Sequence, residues 1–137
     1  MPALRCLRRS ERGSVAVEFA LFLPVFLLLI FAVVELGSAW YAKQMIVNAS
    51  RDGARMASLL NPGDITDAEV ESHVQTLLTQ AGFPGSVSIT STGAEGDAGD
   101  LVSVQVDSTY QFPVLSALAP SSLSQVNLRA TTVMRHE

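Results

Sequence analysis

Two residues near the start of this 137-residue chain offer its most specific chemistry: Gly13 and Glu18. Gly13 closes a short segment containing Arg5, Arg8, Arg9 and Arg12, and Glu18 is followed by an uncharged apolar run from Phe19 to Val34. A carboxylate inside such a run is costly, about 2.5–3.5 kcal/mol if it reaches the centre of a bilayer. A cost of that size is usually tied to a function. Elsewhere the sequence is poor in reactive groupings. His73 and His136 lie far apart, with no second histidine or cysteine at metal-ligand spacing. Neither a nucleophile elbow nor a glycine-rich phosphate loop is present. Glu95, Asp97 and Asp100 put oxygen ligands close together, but without the ordered spacing of a calcium loop. They read as a solvated hairpin tip. No catalytic residue, metal site or cofactor is expected, and His73 reads as a surface or half-buried residue.

The elements that must position Gly13 and Glu18 begin with a membrane helix. Ser14 to Val34 is long enough for a hydrocarbon core of roughly 30 Å at ~1.5 Å per residue. Pro24 removes one backbone hydrogen bond within it. The helical pattern then continues from Glu35 to about Leu60, with Trp40, Tyr41 and Lys43 placed where interfacial anchors belong. As one helix, Ser14–Leu60 would be roughly 70 Å long. Ala49, Gly53 and Ala57 share one face and allow a close approach. Asp52 and Arg55 are spaced to pair, and Asn61-Pro62-Gly63-Asp64 stops the helix.

The remainder predicts one small α+β domain. Thr66-Asp67-Ala68-Glu69 is a capping box opening a helix from about Asp67 to Ala81, with Gly82 as its stop. Val70, Val74, Leu77, Leu78 and Ala81 form its apolar face. Three strands follow: one around Val87 and Ile89, one over 101–107 and one from Val126 to Met134. The segment 93–100 is expected to be a flexible hairpin loop, and 113–123 a connection with a helical turn. The expected fold is a long N-terminal helix, a second helix and a small antiparallel sheet of about three strands. The expected divisions are a leader 1–13, a transmembrane helix 14–34, a stalk helix 35–60 and an α+β domain 61–137.

Charge sets the orientation. The leader has four arginines against Glu11, a net of +3, so residues 14–137 carry −7 of the chain's overall −4. Basic residues before the apolar run place the N-terminus in the cytoplasm and the domain across the inner membrane, in the periplasm. An acidic exported part argues against nucleic-acid binding. Cys6 is the only cysteine and lies in the leader, so no intramolecular disulfide can form.

The run Arg12-Gly13-Ser14-Val15-Ala16-Val17-Glu18-Phe19-Ala20-Leu21 with Pro24 resembles the start of TadE-like pseudopilins, minor pilins of Tad (Flp) pilus systems. Glu35-Leu36-Gly37, the stretch from Ala49 to Ala57 and the closing Met134-Arg135 with Glu137 extend the resemblance. Ser50 and Asp52 depart from the family's usual pattern. The resemblance implies that a prepilin peptidase cuts between Gly13 and Ser14. It further implies that Glu18 serves processing and assembly, its carboxylate pairing with the new Ser14 amine of a neighbouring subunit. Implied partners are other pilins or pseudopilins and the Tad inner-membrane assembly platform; the implied role is pilus assembly, hence adhesion and surface colonisation. Arg51, Asp52, Gly53 and Arg55, with Ala49 and Ala57, would hold the stalk by packing rather than bind a ligand. Two alternatives stay open. One is an uncleaved, membrane-anchored envelope binding or scaffold protein. The other is a secreted protein behind an ordinary signal peptide, for which Gly37-Ser38-Ala39 supplies small residues, although an h-region is usually only 7–15 residues.

Overall fold

The computed structural model describes residues 11–60, 63–118 and 124–137. The leader before Glu11, the helix-stopping Asn61-Pro62 and the end of the 113–123 connection lie outside the described residues. Helix α1 (Glu11–Leu59) opens the chain and runs through Pro24. It is followed by α2 (Asp67–Gln80), strands β1 (Val87–Thr92) and β2 (Leu101–Gln111), the short helix α3 (Pro113–Leu118) and strand β3 (Gln125–Arg135). The sheet is antiparallel with order β1-β2-β3, and the class is α+β. The chain divides into two compact units between Val34 and Glu35.

The first unit holds the apolar part of α1. Its side chains from Val15 to Val34 are exposed throughout, and the helix has a most apolar window of mean hydropathy 2.8. By length and composition it can cross a membrane.

The second unit is built around residues 35–59 of α1. Ala39, Ala42, Ile46, Ala49, Ala54 and Ala57 are buried there. Val102, Val104 and Val106 of β2 are also fully buried, each worth about 1.5–3 kcal/mol of hydrophobic stabilisation. Val70, Val74 and Leu78 complete the core from α2. Gly53 sits where the three elements meet. A Cβ there would collide with Val74 Cγ2 and lie 3.5 Å and 3.6 Å from Val70 Cγ1 and Val104 Cγ1.

Local signals fix the ends of α2. The Thr66 hydroxyl accepts from the Glu69 amide at 3.3 Å, and the Thr66 amide donates to the Glu69 carboxylate at 2.8 Å. At the other end Gly82 takes φ +70, and the Phe83 amide donates to the Leu78 carbonyl at 3.0 Å.

Three expectations need correction. Strand β2 extends to Gln111, four residues beyond the expected Asp107, because Ser108 and Tyr110 continue the inward alternation and the whole strand pairs with β3. Asp52 does not pair with Arg55. It meets His73 on α2, with Asp52 Oδ2 3.2 Å from His73 Nε2, because α2 packs beside that turn of α1. The loop 93–100 is tied rather than loose. The Gly99 amide donates to the His136 carbonyl and the His136 amide to the Asp100 carbonyl, while the buried His136 ring lies 2.9 Å from the Gly93 carbonyl.

Gly53→Ala should lower stability by about 1–2 kcal/mol despite gaining about 1 kcal/mol of helix propensity, because β-branched Val74 cannot swing aside. Gly37→Ala, whose Cβ would meet nothing within 4 Å, should be neutral or stabilising. Urea denaturation of the two detergent-solubilised variants checks the difference.

Candidate functional site

Gly13 lies near the beginning of the described part of α1. A Cβ at Gly13 would meet nothing within 4 Å. Packing in this chain therefore does not call for a glycine there, in contrast to Gly53. Ser14 and Glu18 are exposed. Nothing in the fold explains why residue 18 is a carboxylate. Gly13, Ser14 and Glu18 thus form one short exposed stretch at the head of an apolar helix.

The other residues singled out from sequence lie farther along α1. Ala49, Gly53 and Ala57 are buried, whereas Arg51, Asp52 and Arg55 are exposed. The two sequence departures make tertiary contacts. Ser50 is fully buried, with its hydroxyl 2.9 Å from the Val104 carbonyl and 2.8 Å from Thr132 Oγ1. With one proton on each hydroxyl, Ser50 donates to the carbonyl and Thr132 donates to Ser50. This joins the helix to two strands. Asp52 joins it to α2 through His73.

Sequence reasoning missed the role of Glu35. This buried carboxylate accepts hydrogen bonds from the Val114 amide and, at 3.3 Å, from the Leu115 amide, in the first turn of α3. The signal was available: a glutamate ending an apolar run needs donors if it is to be buried. Pro113 removes a donor of its own at the position where a helix can spare it.

Among the described residues no group of three or more His, Cys, Asp or Glu side chains could hold a metal ion. An open hollow of about 500 Å³ lies along the sheet over Ser88, Asp107, Asn127 and Arg129. Another of about 490 Å³ lies between α1 and α2 over Met45, Ala49, Leu77 and Ala81. Neither holds a nucleophile with a base beside it. In the first, Arg129 Nε donates to Asp107 Oδ1 at 2.5 Å and Gln105 Nε2 to Asp107 Oδ2 at 2.6 Å. The Arg129 bond, then the Gln105 bond, holds the Asp107 carboxyl below the usual aspartate range.

With that geometry described, the comparisons can be placed on it. The family model described as TadE-like protein matches residues 13–55. This helix is TadE-like. The match begins at Gly13 and includes Glu18, Glu35 and Gly53. The TadE-like helix is long and apolar enough for membrane anchoring. The sheet lies beyond the matched residues. No curated protein and no solved structure matches the chain.

Arg129→Leu should raise the Asp107 pKa toward its ordinary value, read from the carboxyl ¹³C shift during a pH titration. The sign follows from linkage. A depressed aspartate pKa contributes stability above the unfolded-state value of ~3.9, and that contribution is lost as pH falls through the folded-state value. The variant should therefore show less loss of stability than the parent over that acid interval.

Proposed function

We propose that the chain is a minor pseudopilin of a Tad (Flp) pilus system. A prepilin peptidase removes the cytoplasmic leader after Gly13, the apolar part of α1 anchors the product in the inner membrane, and the α+β domain faces the periplasm. The protein acts with other pilins and the Tad inner-membrane assembly platform, and it contributes to adhesion through pilus assembly. It is the substrate of an enzyme rather than an enzyme.

One observation carries this reading. Gly13 and Glu18 lie inside the TadE-like stretch, yet neither residue type is required by packing among the described residues. Their identities answer to something outside the fold. A peptidase that tolerates only a small residue before the cut accounts for the first. A carboxylate that meets a free α-amine accounts for the second. Cleavage creates that amine on Ser14, and in a bundle of helices a paired carboxylate and amine avoid the several kcal/mol of leaving either charge buried alone.

Gly13→Leu should leave full-length precursor in the membrane, and because no neighbour opposes a side chain there the fold should survive. Immunoblotting of membrane fractions distinguishes precursor from product. A shortened product from the variant, indistinguishable from that of the parent, would overturn the assigned cut.

Glu18→Gln keeps size and hydrogen bonding and removes the charge. It should still be cut, at least in part, but should fail to restore pili or surface attachment in a deletion strain. Processed protein and pilus yield are measured in the same cells. Normal attachment by a fully processed variant would show the charge to be dispensable.

A further inference from the structure

The two edges of the sheet are treated differently by the rest of the chain. β1 is a short edge of six residues, and its partner β2 bonds through Ser88, Thr90 and Thr92. The Ser91 amide therefore points away from the sheet, where it donates to Glu71 Oε1 at 2.9 Å. Asp67 takes the Ser91 hydroxyl at 2.7 Å and the Ala94 amide at 3.1 Å. That edge is closed by carboxylates from α2.

β3 is an edge of 11 residues. The Phe112 amide donates to the Ser124 carbonyl and the His136 amide to the Asp100 carbonyl, so the even-numbered residues of β3 face β2 across the ladder. Backbone groups alternate in direction along an antiparallel strand. Those of Gln125, Asn127, Arg129, Thr131, Val133 and Arg135 consequently point outward. The only hydrogen bond made to that outward row among the described residues is from Lys43 Nζ to the Arg129 carbonyl. The edge contains no proline and no inward-pointing charge, two devices by which unpaired edges are usually blunted.

Charge is segregated to the same side. Four of the chain's nine Lys and Arg residues lie before Ser14. The other five are Lys43, Arg51, Arg55, Arg129 and Arg135, all on α1 or β3. Gly53 faces Val70 and Val74 of α2 and Val104 of β2, and Arg51 and Arg55, each two residues from it, are turned about 160–200° around the helix, away from that contact. Both are exposed, as is Arg135, and none of the three has an ion pair among the described residues. Lys43 of the helix and Arg129 and Arg135 of the strand therefore put cationic side chains along the open edge.

The geometry points to the free edge of β3 as a strand-addition site for an extended, carboxylate-bearing segment of a partner subunit. The main chain of the incoming strand bonds the outward row, and its alternate side chains reach either Arg129 and Arg135 or Lys43. Lys43 is then free to exchange a carbonyl for a carboxylate. A second copy of β3 suits the edge less well, because β3 carries two arginines and no acidic residue. The inference concerns the domain alone and stands independently of leader cleavage.

The test uses the full chain in detergent micelles and two synthetic ten-residue peptides, one alternating threonine with glutamate and the other threonine with lysine. The acidic peptide should slow amide exchange at Asn127, Thr131, Val133 and Arg135, and should bind at least about tenfold more tightly than the basic one, a difference of ~1.4 kcal/mol. Thr131→Pro removes one outward donor and leaves the ladder to β2 intact, so it should abolish that protection while Val104 and Val106 stay protected. Should Thr131→Pro fail to fold, Lys43→Glu combined with Arg135→Glu leaves the backbone untouched and should weaken the acidic peptide by a similar factor. Equal binding of both peptides, absence of protection on β3, or binding indifferent to these variants would overturn the proposal. So would self-association through β3, seen as a disulfide-linked dimer of Thr131→Cys made in a Cys6→Ser chain, which would make a second copy the occupant.

Discussion

The domain depends on how closely one stretch of α1 approaches its neighbours. At Gly53 the helix axis comes near enough for Val70 and Val74 of α2 and Val104 of β2 to occupy the space a side chain would take. Small residues on the same side, Ala42, Ala49 and Ala57, are buried along with it. A helix that presents little side chain lets its partners supply the bulk, and here the partners are β-branched valines in fixed rotamers. The sheet needs this cover because its inner face is apolar and its outer face polar. Ser88, Asp107 and Arg129 stand in register across the outer face.

Around that contact, polar groups fix position rather than drive collapse. Ser50 binds the centre of the sheet through two strands. Glu35 takes up the free amides of α3 and so ties the connection between β2 and β3 to the main helix. Asp67 and Glu71 close one sheet edge. Each of these satisfies a donor that would otherwise be buried or left open, which is worth more than the modest net value of an average hydrogen bond. The acidic residues on α2 thereby leave the basic ones concentrated on the opposite side, and the two edges of one small sheet acquire different chemistry.

α1 itself answers to two environments. From Val15 to Val34 its side chains are exposed among the described residues, whereas from Glu35 the buried residues recur with helical spacing. A helix that is apolar all round is suited to lipid, and one with a single buried stripe is suited to a water-facing domain. The change of pattern occurs without a break in the helix. The residues at the head of the apolar part are the ones the chain's own packing leaves unexplained, and for that reason Gly13 and Glu18 are read as answering to other proteins.

The sequence by itself determined the elements whose cause is local. An apolar run of bilayer length, a capping box at Thr66 and Glu69, a glycine stop at Gly82 and strict alternation in β2 and β3 are all written in neighbouring residues, and the α+β class follows from their order. The short exposed stretch of Gly13, Ser14 and Glu18 was legible for the same reason, since its meaning lies in spacing along the chain. Only the tertiary structure decided the matters that depend on residues far apart. Asp52 could pair with Arg55 one turn away, but the approach of α2 gives it His73 instead. Glu35 finds its donors only at the start of α3, about eighty residues later. The open edge of β3 could not be seen in sequence because exposure of a strand edge depends on sheet order, and Lys43 met Arg129 there only when α1 packed against the sheet. Spacing fixes what a segment can form; which of its groups remain unpaired is fixed by what packs against it.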